Sequence, residues 1–172
     1  MKGKKMVSAV CTFLCAAVFL LYWNNDIGIP ASGMVQDIHS SQKIQEDWQT
    51  KGENGEHMAA FLSFPEDEAD HTFSVYVNRK GLSFGWFFRG GGSLTGVGRY
   101  ITEFTVEGCT ERAFISMNGQ NIVCMETDDG SGAVRRNIEQ GRPFAFIVPA
   151  EAGTVTFYDA EGQTAEVLEN KL

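Results

Sequence analysis

Two apolar runs flank an Asn-Gly dipeptide in the stretch RAFISMNGQNIVCMET, residues 112–127. An Asn-Gly pair between such runs is the strongest short-range signal for a β-hairpin, because both turn residues must accept a positive φ. We therefore predict two strands, residues 112–117 and 120–127, paired through the turn at Asn118-Gly119.

Similar strand signals extend outward from this stretch. Residues 72–78 alternate between apolar and polar side chains, which is typical of a half-buried strand. The chain holds 19 glycines and 13 phenylalanines, and this composition favours strands joined by turns. The other predicted strands are residues 57–64, 82–89, 100–106, 143–148, 154–158 and 163–168. About 8–10 short strands over residues 58–172 predict an all-β domain, either an antiparallel β-sandwich or a partly open barrel.

The N-terminal segment differs from the rest of the chain. Met6–Trp23 is uncharged, and as a helix it would be about 27 Å long, close to the thickness of the bilayer's hydrocarbon core. Lys2, Lys4 and Lys5 precede this run, and all 22 acidic residues follow it. We predict a single-pass transmembrane helix over residues 6–23 in the cell membrane, with a cytoplasmic N-terminus and an extracytoplasmic C-terminal domain.

A cleaved signal peptide is the alternative for residues 1–23. The apolar part of a signal peptide usually spans about 7–15 residues, which is shorter than this run. The best small-x-small cleavage site, Ala31-Ser32-Gly33, lies well beyond the run. We therefore prefer an uncleaved anchor.

Residues 24–57 are polar, and they predict a stalk between the anchor and the β-domain. Val35 and Ile38 recur at helical spacing after Ser32, a residue type that caps helices. A short amphipathic helix is therefore the alternative within this segment.

The formal net charge of −8 limits the partners of the chain. An acidic domain repels nucleic acid at long range, so we expect no nucleic-acid partner. His39, His57 and His71 lack the i, i+4 pairing of a zinc-binding helix. We predict no metal and no cofactor.

A glycine-rich segment, residues 89–99, begins and ends with arginine. Glycines let backbone N–H groups converge on an anion, and flanking arginines can clamp it. The spacing fits neither a Walker motif nor a dinucleotide fingerprint, and a mobile loop between two strands is the alternative. The candidate anion-binding residues are Arg89, Gly90, Gly91, Gly92, Ser93 and Arg99.

Phe84, Trp86 and Phe88 fall on one face of a predicted strand. An exposed aromatic row can stack on sugar rings or on a partner protein, which makes Trp86 a candidate binding residue. Such a row more often belongs to the core, and we prefer that interpretation.

Cys109 and Cys124 would meet an oxidising compartment outside the membrane, where disulfides form. The predicted hairpin register offsets them by four residues, or roughly 13 Å along the strands. A disulfide needs Cα atoms within about 7 Å. A Cys109–Cys124 bond is therefore the disfavoured alternative to two small buried residues.

The segments together predict a membrane-anchored extracytoplasmic binding or protein-interaction module without catalytic activity. Its expected partner is an envelope protein or a cell-surface polymer. One alternative is a membrane-anchored hydrolase that uses carboxylates of the acidic turns at residues 66–70 and 128–129, because paired carboxylates are not recognisable from spacing. A structural subunit of an envelope assembly is the other alternative.

Overall fold

The computed structural model describes residues 2–79 and 83–172; for residues 2–6, 8 and 9 the description covers the backbone only. The described helices are α1 (Lys2–Trp23), a short 3-10 turn (Ala31–Gly33), α2 (Met34–Ser41) and α3 (Thr95–Arg99). The described strands are β1 (Gln49–Asn54), β2 (Met58–Phe64), β3 (Thr72–Asn78), β4 (Trp86–Gly92), β5 (Ile101–Thr105), β6 (Glu111–Ser116), β7 (Ile122–Asp128), β8 (Ala133–Asn137), β9 (Phe144–Pro149), β10 (Thr154–Asp159) and β11 (Val167–Lys171).

These strands form three sheets. The outer sheet has the order β1-β2-β3-β4, the central sheet β11-β5-β6-β9 and the small sheet β10-β7-β8. Every pairing is antiparallel except that of β11 with β5. The prediction of a mostly β domain with antiparallel sheets is confirmed, and the packed sheets are consistent with a β-sandwich.

The apolar core lies on both faces of the central sheet. On one face, Phe104 and Ile115 pack with Leu62 and Val75 of the outer sheet. On the other face, Phe114 packs against Phe157 of the small sheet, with 5.3 Å between ring centroids. The central sheet is therefore covered on both faces, as expected for a middle layer.

Residues 24–57 are more than the polar stalk that their composition suggested. Met34 and Ile38 of α2 are buried against Tyr76 and Trp86 on the outer face of the outer sheet. β1 pairs with residues 59–64 of β2. The segment joins the domain because its helix supplies two apolar side chains and its strand supplies backbone hydrogen bonds.

The predicted hairpin at Asn118-Gly119 is wrong. β6 pairs with β5 and β9 in the central sheet, whereas β7 pairs with β8 and β10 in the small sheet. Asn118 has the expected left-handed backbone (φ 61°), but the second left-handed residue is Asn121 (φ 54°). The segment is therefore a corner that carries the chain from one sheet to the next.

The side chain of Asn118 explains this corner. It is 2% exposed, and its Oδ1 accepts a hydrogen bond from the backbone of Ile122 at 2.6 Å. Its Nδ2 donates to the carbonyls of Ile122 at 3.1 Å and Glu139 at 3.2 Å. These bonds replace the ladder that a hairpin would have formed.

The predicted helix near the N-terminus is present as α1. Its described apolar side chains are largely exposed, for example Phe13 at 73% and Phe19 at 59%. In residues 2–79 and 83–172, no helix was found to combine the length and the apolar character required to cross a bilayer. Membrane insertion of residues 6–23 stays a prediction.

One predicted strand and the turn before it touch residues outside the described ranges. The turn was expected at residues 78–81 and the strand at residues 82–89. The described part of this strand begins later, at Trp86, and continues through the glycines to Gly92.

Candidate binding groove

An open groove of about 570 Å³ lies where the three sheets meet. One wall is β1, the other is the end of β8 with the segment that follows it, and the floor is the first half of β9. Its volume lies within the range of small-molecule sites, about 300–1,000 Å³.

The strand β8 forms the open side of the small sheet. All five of its residues are exposed, and Val134 reaches 68%. The bond from Ile138 N to Val123 O (2.8 Å) fixes the alternation of the ladder with β7. By that alternation Val134 and Arg136 bond to β7, while Arg135 and Asn137 direct their backbone N–H and C=O groups away from it.

Arg136 extends from β8 across the groove. Its guanidinium pairs with Glu53 of β1 at 3.0 Å and lies 3.8 Å from the ring centroid of Phe146 on β9. The same Glu53 carboxylate accepts a hydrogen bond from the backbone of Ile147 at 3.0 Å. Three strands from three sheets are thus connected through one ion pair.

Three cations border the groove, and the two arginines are paired. Arg142 contacts Glu68 at 2.9 Å and Glu139 at 3.9 Å. Lys51 lies 5.8 Å from the ring of Phe64. Because acidic partners offset the charges of the two arginines, the groove is polar without a strong net charge.

The glycines of the glycine-rich segment lie in a strand, not in the mobile loop that was the alternative to an anion site. Gly90, Gly91 and Gly92 pair with β3 as part of β4. A Cβ at Gly90 would lie 2.9 Å from the side chain of Leu172, and one at Gly91 would lie 2.7 Å from the carbonyl of Phe73. A backbone atom therefore occupies the space beside Gly91, which favours glycine there, whereas only the end of a flexible side chain lies beside Gly90.

The two arginines of that segment do not face one cavity. The register shift opposite Val75 and Tyr76 leaves Arg89 as the extra residue of a β-bulge. Arg89 lines a small cavity of about 200 Å³ together with Arg79. Arg99 lies at the end of α3 and is not part of that lining, and Ser93 is exposed between them.

Trp86 is buried, in contrast to the stacking role considered for it. Its side chain is 8% exposed and belongs to the cluster beneath α2. Phe84 and Phe88 of the same row are exposed. The preferred interpretation of Trp86 as a core residue therefore agrees with its position.

Cys109 and Cys124 are free thiols in the structure. Cys109 packs against the core between the outer and central sheets, and Cys124 lies on β7 in the small sheet. The hairpin register used to separate them does not exist; Cys109 lies in the connection between β5 and β6, and Cys124 lies in the small sheet.

The acidic turns differ from an enclosed pair of catalytic carboxylates. Asp128 and Asp129 are exposed, and hydrogen bonds from Ser131 lower the pKa of Asp129. Of the acids at residues 66–70, Glu68 is half-buried and paired with Arg142. Across the described part of the chain, no three His, Cys, Asp or Glu side chains converge as metal ligands would.

The groove carries no local sequence signal, because its residues come from three sheets. Residues 133–137 contain two adjacent arginines and no apolar alternation, and no strand was predicted there. The β1 sequence QTKGEN also lacks apolar alternation. Both segments can be recognised as strands only because each of them pairs with a strand that was predicted.

Comparison with known proteins matched this chain to no described protein family, no curated protein and no solved structure.

Proposed function

We propose that this chain is a membrane-anchored, extracytoplasmic binding or protein-interaction module without catalytic activity, and that its partner occupies the groove between β1 and β8. The observation that carries the proposal is the position of the groove, where edge strands of three sheets meet around one open volume. Ligand-binding sites are typically concave clefts of this size.

The exposed apolar surface of α1 supports the anchor. Phe13, Leu14 and Phe19 are each more than half exposed, and burying side chains of this size is worth about 1.5–3 kcal/mol each. A bilayer would cover this surface, and the lysines at the N-terminus favour a cytoplasmic start. The domain would then face outward with the groove accessible to an envelope protein or a cell-surface polymer.

Crosslinking in intact cells tests the proposal. A photo-reactive residue replaces Val134 beside the groove, and a matched variant carries it at Glu161, an exposed turn residue between β10 and β11. We expect a discrete adduct from position 134 but not from position 161. Equal labelling at both positions, or none at position 134, would remove the groove as the binding site.

Membrane fractionation tests the anchor separately. We expect the full chain to stay in the membrane pellet during alkaline carbonate extraction, and external protease to degrade the domain in spheroplasts. Recovery of the full chain in the soluble fraction would exclude the anchor. The crosslinking experiment would then test the groove on its own.

The two alternatives have less support from the geometry. The hydrolase needs two enclosed acids with raised pKa values, and the described acids of the two turns are mostly exposed. The structural subunit predicts a ladder of oligomers after crosslinking in membranes, and a single monomer band would exclude it.

A further inference from the structure

The groove lies beside a sheet that is one strand narrower than its neighbour. The central sheet has four strands, whereas the small sheet that covers its second face has three. β8 is the last strand of the small sheet on the groove side. A fourth strand beside β8 would therefore lie over the groove and extend the layer that the small sheet forms on the central sheet.

The backbone of β8 is available to such a strand. Arg135 and Asn137 direct N–H and C=O groups away from β7, and within the described residues no hydrogen bond is made by these groups. Unpaired edge groups in a row are the recognition surface used in β-strand addition.

Val134 supplies the apolar part of the surface. It shares a face with Arg136, two residues along the strand, and that face is the one directed at the groove, because Arg136 contacts Glu53 and Phe146. Its 68% exposure is high for a valine within a strand. A side chain from an added strand would cover it.

We propose that the groove binds an extended peptide segment of a partner protein, which pairs with the free edge of β8 as a fourth strand of the small sheet. The inference rests on the proposed function and names the class of its ligand. A second copy of this chain fits less well, because antiparallel pairing of two β8 strands about their centre would place Arg135 opposite its own copy.

The test uses the full chain in lipid nanodiscs and a phage-displayed library of random twelve-residue peptides. Asn137→Pro removes the outward N–H and leaves the ladder with β7 intact, because proline is tolerated on the free side of an edge strand. Asn137→Ala changes the same side chain but keeps the N–H. Equal thermal midpoints of the two variants show that both are folded.

We expect the selected peptides, made synthetically, to bind the original chain and Asn137→Ala alike. Their Kd for Asn137→Pro rises about tenfold, the effect of one hydrogen bond worth about 1.4 kcal/mol. Exchange of the Asn137 amide hydrogen slows at least tenfold when the peptide binds. Failure to select any peptide above empty nanodiscs, or equal affinity for Asn137→Pro, overturns the inference.

The in-cell adduct from position 134 separates this inference from the proposed function. A polypeptide of another protein attached there supports both. A carbohydrate or a second copy of this chain keeps the groove as a binding site but overturns the peptide assignment. The absence of an adduct counts against the proposed function itself.

Discussion

The carboxylate of Glu111 lies 2.7 Å from the backbone nitrogen of Met58 and joins the first residue of β6 to the first residue of β2. The same carboxylate accepts hydrogen bonds from the backbones of Glu56 at 2.9 Å and His57 at 2.8 Å. Burial opposes its ionisation, but these three bonds outweigh burial and lower the pKa of Glu111. One side chain thus ties the β1–β2 turn to the central sheet.

Glu111→Gln is expected to lower the free energy of unfolding by about 2 kcal/mol at pH 7. An amide has one acceptor oxygen in place of two and carries no charge, and hydrogen bonds to charged groups contribute about 1.5–3 kcal/mol. Urea titration followed by tryptophan fluorescence measures the change. Glu161→Gln, at an exposed residue of the turn after β10, is the control and should shift the midpoint little.

The contribution of Glu111 should disappear in acid. Because the pKa is lowered in the folded state, the stabilisation is complete above the unfolded value of about 4.3 and is lost as pH falls through the folded value. The gap in unfolding free energy between the original chain and Glu111→Gln should therefore narrow as the pH falls below about 4.3. A gap that stays constant over this range would contradict the assigned role.

The corner at Asn118 shows how much a strong local pattern can predict. The left-handed backbone at this residue follows from its side chain and was predicted. The partner of each strand was not, because pairing depends on the buried bonds of Asn118 to Ile122 and Glu139. The left-handed conformation was readable at Asn118 but not at its neighbour Gly119, and sheet assignment needed the whole core.

Two substitutions separate the backbone and the side-chain roles of Asn118. Asn118→Gly removes the hydrogen bonds but accepts the left-handed conformation, whereas Asn118→Ala removes the bonds and adds about 1–2 kcal/mol of backbone strain. We expect Asn118→Gly to cost about 2–3 kcal/mol and Asn118→Ala to cost more. Equal losses in urea unfolding would show that the backbone is not strained there.

The same limit applies to residues 24–57 and to the groove. The apolar spacing of Val35 and Ile38 indicated a helix, but the buried residue beside Ile38 is Met34, and the sheet beneath them was not predictable from spacing. β8 has no apolar alternation because both of its faces are exposed. Strands that contribute mainly backbone bonds leave little trace in a sequence.

Tyr76→Phe tests whether α2 is fixed to the outer sheet. The Tyr76 hydroxyl donates to Asp37 of α2 at 2.7 Å, and burial, with this bond, raises the pKa of Tyr76 well above its usual range. We expect a loss of about 1–2 kcal/mol and faster amide hydrogen exchange across residues 34–41, measured by mass spectrometry. Unchanged exchange in that helix would mean that the hydroxyl does not hold it.

Gly52→Ala and Gly90→Ala form a matched pair that tests the packing of β1. A Cβ at Gly52 would lie 2.9 Å from the Cα of Phe61 and closer still to the carbonyl oxygen of Ala60, both backbone atoms of β2. A Cβ at Gly90 would meet only the end of the flexible Leu172 side chain, at 2.9 Å.

The backbone atoms of β2 cannot move aside as a side-chain methyl group can. The two variants should therefore differ in their free energy of unfolding. We expect Gly52→Ala to lower the free energy of unfolding by about 2–3 kcal/mol. Gly90→Ala should stay within about 1 kcal/mol of the original chain, because its smaller unfolded-state entropy offsets part of the crowding. Urea titration compares the two. If both variants are equally stable, β1 does not pack on β2 as closely as this register requires, and the wall of the groove is not fixed.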